Sequence, residues 1–134
     1  MSSYNASFDP PAPLLEVTIA NTANKRRRRS LSALLDTGSD ITAIPDSLAQ
    51  PLQLYPIGQI QLESVEATTT TVLTYAVHLT IGDLSIPRLE VILTGLDFIV
   101  VGRDVLNRFY LLLNGPEQNF DLRATSFLAD PSTE

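Results

Sequence analysis

No apolar run in this chain outlasts a strand before proline, glycine or charge interrupts it, and that punctuation constrains the fold more than anything else. Runs this short exclude a bilayer-spanning helix. What they suit is short β-strands. Leu14-Leu15-Glu16-Val17-Thr18-Ile19 is rich in β-branched residues, and Leu31 to Leu35 is a second apolar stretch. Ile41 to Ile44 reads as a third strand closed by Pro45, and Asp46 to Gln50 allows only a helical turn before Pro51. Ile60 and Leu62 alternate with Gln61 and Glu63, and Thr68 to Ile81 is the longest β-prone segment. Ser64-Val65-Glu66-Ala67 between them reads as a hairpin tip. Short strands follow at Leu84 to Ile86, Leu89 to Leu93 and Phe98 to Val101. A single helix is expected after Gly102, through Asp104 to Phe109, with an acid in its first turn. Tyr110 to Leu113 and Asn119 to Leu122 then form a closing hairpin around Asn114-Gly115-Pro116. The pattern predicts a mainly β, barrel-like domain.

One domain accounts for 134 residues, and an apolar share of 44% is enough for its core. Residues 1–13, polar and carrying Pro10, Pro11 and Pro13, are expected to be a flexible arm, 14–128 the folded domain and 129–134 a tail. The start lacks a basic region followed by an apolar stretch, so no signal peptide is expected and Asn5-Ala6-Ser7 is a chance sequon. The absence of cysteine excludes disulfides, thiol nucleophiles and thiolate metal sites, and it suits a cytoplasmic protein. A lone histidine, His78, rules out multi-histidine metal centres, and its place in an alternating strand favours a structural role. No metal or cofactor is expected. Carboxylates are left as the natural carriers of hydrolytic chemistry.

One carboxylate stands apart. Leu34-Leu35 delivers Asp36 from the end of a buried strand into Thr37-Gly38-Ser39, and β structure resumes at once. A carboxylate in an apolar interior is costly without compensation, and Gly38 lets the backbone approach it closely. Leu34-Leu35-Asp36-Thr37-Gly38-Ser39-Asp40 resembles the active-site signature of the retroviral-type aspartic proteases, the retropepsins. Phe98-Ile99-Val100-Val101-Gly102-Arg103-Asp104-Val105-Leu106 is similar to that family's second signature, in the right order. The tail through Phe109 to Gly115 resembles retropepsin-like proteins encoded outside retroviruses, bacterial ones included.

The resemblance spans roughly residues 14–123 and implies a closed, retropepsin-like β-barrel with a flap hairpin and one short C-terminal helix. It also implies an aspartic endopeptidase acting on peptide or protein as a twofold homodimer. Peptide hydrolysis without metal or covalent nucleophile needs one carboxylate as base and one as acid. With a single Asp-Thr-Gly, the second must come from a symmetry mate. By the same resemblance Asp36, Thr37 and Gly38 form the catalytic loop, with Thr37 in the brace between subunits called the fireman's grip. Gly38 and Asp40 would hold extended substrate, and Asp40 would form a buried ion pair with Arg103. Leu34, Ala43, Phe98 and Val100 would line side-chain pockets, and Val65, Glu66 and Ala67 would cover the substrate. A flap tip in this family is usually glycine-rich, and Ser64 to Thr69 contains no glycine. That departure favours the alternative of a binding or dimerisation module with little hydrolytic activity.

Five of the nine basic residues run together as Lys25-Arg26-Arg27-Arg28-Arg29, in a chain of net charge -6. Asn21 to Asn24 just before them reads as a turn, so a solvated hairpin loop is expected. Such a run could otherwise contact nucleic acid or an acidic partner. Without interleaved aromatics, and in an otherwise acidic chain, nucleic-acid binding is disfavoured against the loop reading.

Overall fold

In the computed structural model, which describes residues 1–128, ten strands and one short α-helix follow one another along the chain. The strands are β1 (Ser2–Ser3), β2 (Leu14–Ala20), β3 (Arg28–Leu35), β4 (Ala43–Pro45) and β5 (Pro56–Glu63). They continue with β6 (Thr69–Ile81), β7 (Leu84–Thr94), β8 (Ile99–Val101), β9 (Tyr110–Asn114) and β10 (Asn119–Arg123). Helix α1 (Arg103–Leu106) follows β8, and a 3₁₀ turn occupies Asp46–Leu48. The expected residues 129–134 tail lies outside the described residues.

The order β2-β3-β8-β4-β7-β6 closes on itself because β2 also pairs with β6, through Thr18, Ile19 and Ala20. Closure leaves these strands without free edges. Alternation explains the filling. Val17 and Ile19 of β2, Ala33 and Leu35 of β3, and Ile99 and Val101 of β8 point inward. Each large side chain so buried contributes about 1.5–3 kcal/mol. β5 hangs outside the ring as the hairpin partner of β6. β1, β10 and β9 form a separate three-stranded sheet, whose Phe120 packs into the same core.

Four expectations are corrected. The arm at 1–13 is folded: β1 pairs with β10, Tyr4 donates to the Gln118 carbonyl at 2.8 Å, and Asn5 bridges Ala12. The two strands expected at 84–86 and 89–93 are one, because Pro87 falls where the β6–β7 register shifts and no ladder donor is demanded of it. The strand expected from Ile41 starts at Ala43, since Thr42 is committed to hydrogen bonds described below. The helix stops at Leu106 rather than Phe109, continuing only as turn bonds from Arg108 to Val105 and from Phe109 to Leu106. His78 sits half-buried on β6 opposite Ala20.

Candidate active site

The parallel pair β3–β8 sets the site. Leu34 lies beside Val100 and Leu35 beside Val101, and the Asp36 amide extends the pairing by donating to the Val101 carbonyl at 2.9 Å. Asp36 is therefore the first residue past the strand, half-buried at the rim of the barrel. Its Oδ1 accepts the Gly38 N–H at 2.9 Å, and its carbonyl accepts the Ser39 N–H at 3.2 Å. Glycine at 38 answers a close approach: an added Cβ would stand 3.1 Å from Asp36 Oδ1.

The loop is tied down behind Asp36 by the start of α1. Arg103 N–H donates to the Ser39 carbonyl at 2.8 Å, and Ser39 Oγ donates to the Ile41 carbonyl at 2.8 Å. A Cβ on Gly102 would meet the Ser39 carbonyl oxygen at 2.9 Å and Ile41 backbone atoms at 3.0 and 3.1 Å. Only glycine lets the two segments touch. Beneath them Thr42 is fully buried, donating through N and Oγ1 to the Asp104 carboxylate at 2.9 and 2.7 Å. Thr42 Oγ1 also accepts the Gly102 N–H at 3.2 Å, and Asp104 Oδ1 accepts the Val105 N–H at 2.9 Å. One carboxylate in the first turn of α1 thus anchors the segment that follows the Asp36 loop.

This arrangement coincides with a match to the family model described as aspartyl protease over residues 15–113. The chain belongs to the aspartyl protease family. The chain has no match among curated proteins. Its fold is similar to that of the simian foamy virus (mac) protease, at 19% identity and a TM-score of 0.54, covering 71% of this chain and 92% of that one. It is also similar to EIAV protease complexed with the inhibitor HBY-793, at 20% identity and a TM-score of 0.51, covering 72% and 86%. The fold is retropepsin-like.

Within the barrel, Leu34, Val100 and Ala43 are brought together as cross-strand neighbours on β3, β8 and β4, on the face opposite the core residues Leu35 and Val101. Phe98 lies just before β8, half-buried, with its ring edge-on to Phe8 of the N-terminal segment at 5.2 Å and 74°. A cleft of about 360 Å³ separates Asp40 and Ile41 from Ile60, Gln61 and Leu62 of β5, with Glu90 and Asp104 on its wall. Val65, Glu66 and Ala67 form the exposed tip of the β5–β6 hairpin. There Ala67 N–H donates to the Ser64 carbonyl, Ser64 N–H donates to the Thr68 carbonyl, and Ala67 takes φ 61°. That is a three-residue loop whose left-handed position is the one glycine ordinarily fills.

The expected buried Asp40–Arg103 pair is not formed within the chain. Both side chains are exposed, and among the described residues the one ion pair is Arg123–Asp121. Arg103 instead donates through Nη1 to the carbonyl of exposed Thr37 at 2.6 Å. Reasoning from sequence missed the acid that does anchor the loop, Asp104, and its buried partner Thr42. A threonine flanked by Ile41 and Ala43, 62 residues from a helix-starting acid, gives a signal only once the two segments are seen to cross.

Proposed function

We infer that the chain is half of an aspartic endopeptidase, with Asp36 and the Asp36 of a second copy meeting across a twofold axis to activate water between them. The observation that carries this reading is the setting of Asp36: at the barrel rim, one carboxylate oxygen fixed by the Gly38 amide, beside the apolar row of Leu34, Val100 and Ala43. One carboxyl takes a proton from water as the water attacks the peptide carbonyl. The other, protonated, supplies a proton toward the leaving amine. Both tasks need a pair, and one chain supplies one Asp-Thr-Gly. Thr37, exposed at the loop apex, would join the matching loop of the partner. The β5–β6 hairpin would close over an extended peptide, whose side chains would enter the surface formed by Leu34, Ala43, Val100 and Phe98. Asp40 would hold the peptide backbone beside the cleft it lines.

The alternative, a binding or dimerisation module of the same fold, is favoured by the glycine-free hairpin tip, where Ala67 occupies a left-handed conformation. Asp36→Asn separates the readings. It preserves the Gly38 hydrogen bond and the fold, and it should abolish cleavage of a peptide library. The wild-type rate should be bell-shaped in pH, since one carboxyl must be ionised and the other protonated. Undiminished cleavage by the purified variant would sink the aspartic assignment.

A further inference from the structure

The end of the barrel remote from Asp36 carries a concentration of cationic groups that the catalytic site does not use. Lys25 to Arg29 occupy the β2–β3 connection and the start of β3, and Arg88 of β7 faces the same place. Together they are six of the nine cations in a chain with fifteen carboxylates. Among the described residues none of the six has a carboxylate within ion-pairing distance. The connection is also built rather than loose. Asn21 Oδ1 accepts the Ala23 and Asn24 amides at 2.8 and 3.0 Å, and Asn21 Nδ2 donates to the Leu52 carbonyl at 2.8 Å. Arg27 Nη1 donates to the Pro51 carbonyl at 3.3 Å, which sets the loop against the 51–54 segment. Arg27 and Arg88 line one cavity of about 360 Å³, floored by Ala76 and flanked by Asn21 and the exposed Tyr55 and Ile57.

We propose that this surface docks an acidic segment of a protein substrate, at a distance from the bond to be cut. The proposal rests on the peptidase reading for its consequence, though not for the binding itself. Unpaired guanidinium groups on a pre-set loop recognise carboxylates with little ordering cost, and the apolar Ala76 and Ile57 beside them suit a peptide's aliphatic stems. A nucleic acid fits less well. A single exposed aromatic offers no stacking platform, and a long polyanion leaving the patch would run onto a surface dominated by carboxylates. A short acidic stretch stays inside the positive field. From Arg28 to Asp36 the chain climbs one strand, on the order of 25 Å at the usual rise per residue. A substrate engaging both places therefore needs about seven or eight extended residues between its acidic stretch and its scissile bond.

The test uses the full chain and a peptide that it cleaves, extended by a glutamate tract after a spacer of about three or about eight residues. The long-spacer peptide should gain about tenfold in kcat/KM, mainly through KM, because a second tethered contact raises effective concentration. The short-spacer peptide should gain little. Joint replacement Lys25→Gln, Arg26→Gln, Arg28→Gln and Arg29→Gln, or Arg88→Gln alone, should reduce the gain and leave the tract-free peptide unaffected. Direct binding of a labelled glutamate peptide, followed by anisotropy, gives a readout independent of catalysis and should weaken as salt rises. Binding lost in the variants while no peptide is cleaved would overturn the peptidase reading and uphold the docking surface. Equal gains at both spacings, gains retained in both variants, or tighter binding of a single-stranded RNA of matched charge would overturn the proposal.

Discussion

The Asp36 loop and the β5–β6 hairpin both contribute to one candidate site, and they are built on opposite terms. Around Asp36 the backbone is fixed from several sides: by β8, by the buried Thr42–Asp104 bonds and by a Gly102 contact that admits no side chain. The hairpin tip has exposed residues and turn bonds alone, with Ser64 Oγ accepting the Glu66 and Thr68 amides at a long 3.3 Å. The difference teaches which half must hold geometry and which half can give. In the function proposed above, the carboxylate that activates water must be pre-placed and the hairpin over the peptide must open, and regions with few buried contacts open at low free-energy cost.

Substitutions can break that contrast. Asp104→Ala removes the acceptor for the buried Thr42 N and Oγ1, and stranding these two donors should cost about 3 kcal/mol in chemical denaturation; Val105 N–H keeps the Gly102 carbonyl at 3.1 Å. Asp40→Ala, at an exposed side chain, should change stability little; equal losses for the two acids would show that the anchor has been misidentified. Gly102→Ala forces a methyl against the Ser39 and Ile41 backbone, so a loss of about 2 kcal/mol and of peptidase activity is expected. Arg103→Ala should cost about 1 kcal/mol, the scale of one exposed charge-assisted bond to Thr37. A loss several times larger would mean that Arg103 is buried on association with a second copy. Ala67→Gly tests the other half: release of left-handed strain should outweigh the entropy gained by the unfolded chain, by less than about 1 kcal/mol. Hydrogen exchange at the Ala67 and Thr68 amides would register the change, and faster exchange in the glycine variant would contradict a strained tip.

Where the sequence speaks locally, it was legible. The alternation in β2 and β6, the Asp36-Thr37-Gly38 turn and the Gly102-Arg103-Asp104 helix start all follow from neighbouring residues, and with them the β-barrel and its family. Features that depend on distant segments were not. Thr42 reads as one more strand residue until Asp104 is placed beneath it, and the Pro-rich start looks flexible until β10 arrives to pair with Ser2 and Ser3. Pro87 looks like a break because local propensity knows nothing of a register shift on the neighbouring strand. At Ala67 the sequence did carry the warning: a hairpin tip without glycine must place some other residue at positive φ.

The central claim is that one chain is half a site, and mixing subunits tests it most directly. Wild type and Asp36→Asn are combined at constant total concentration, high enough to saturate any dimer, and allowed to exchange before peptidase activity is measured. If each site draws one aspartate from each chain, activity follows the square of the wild-type fraction, and an equal mixture retains about a quarter of the wild-type rate. A linear fall, with about half the rate retained at equal mixture, would mean that a single chain carries its own complete site and would contradict the account.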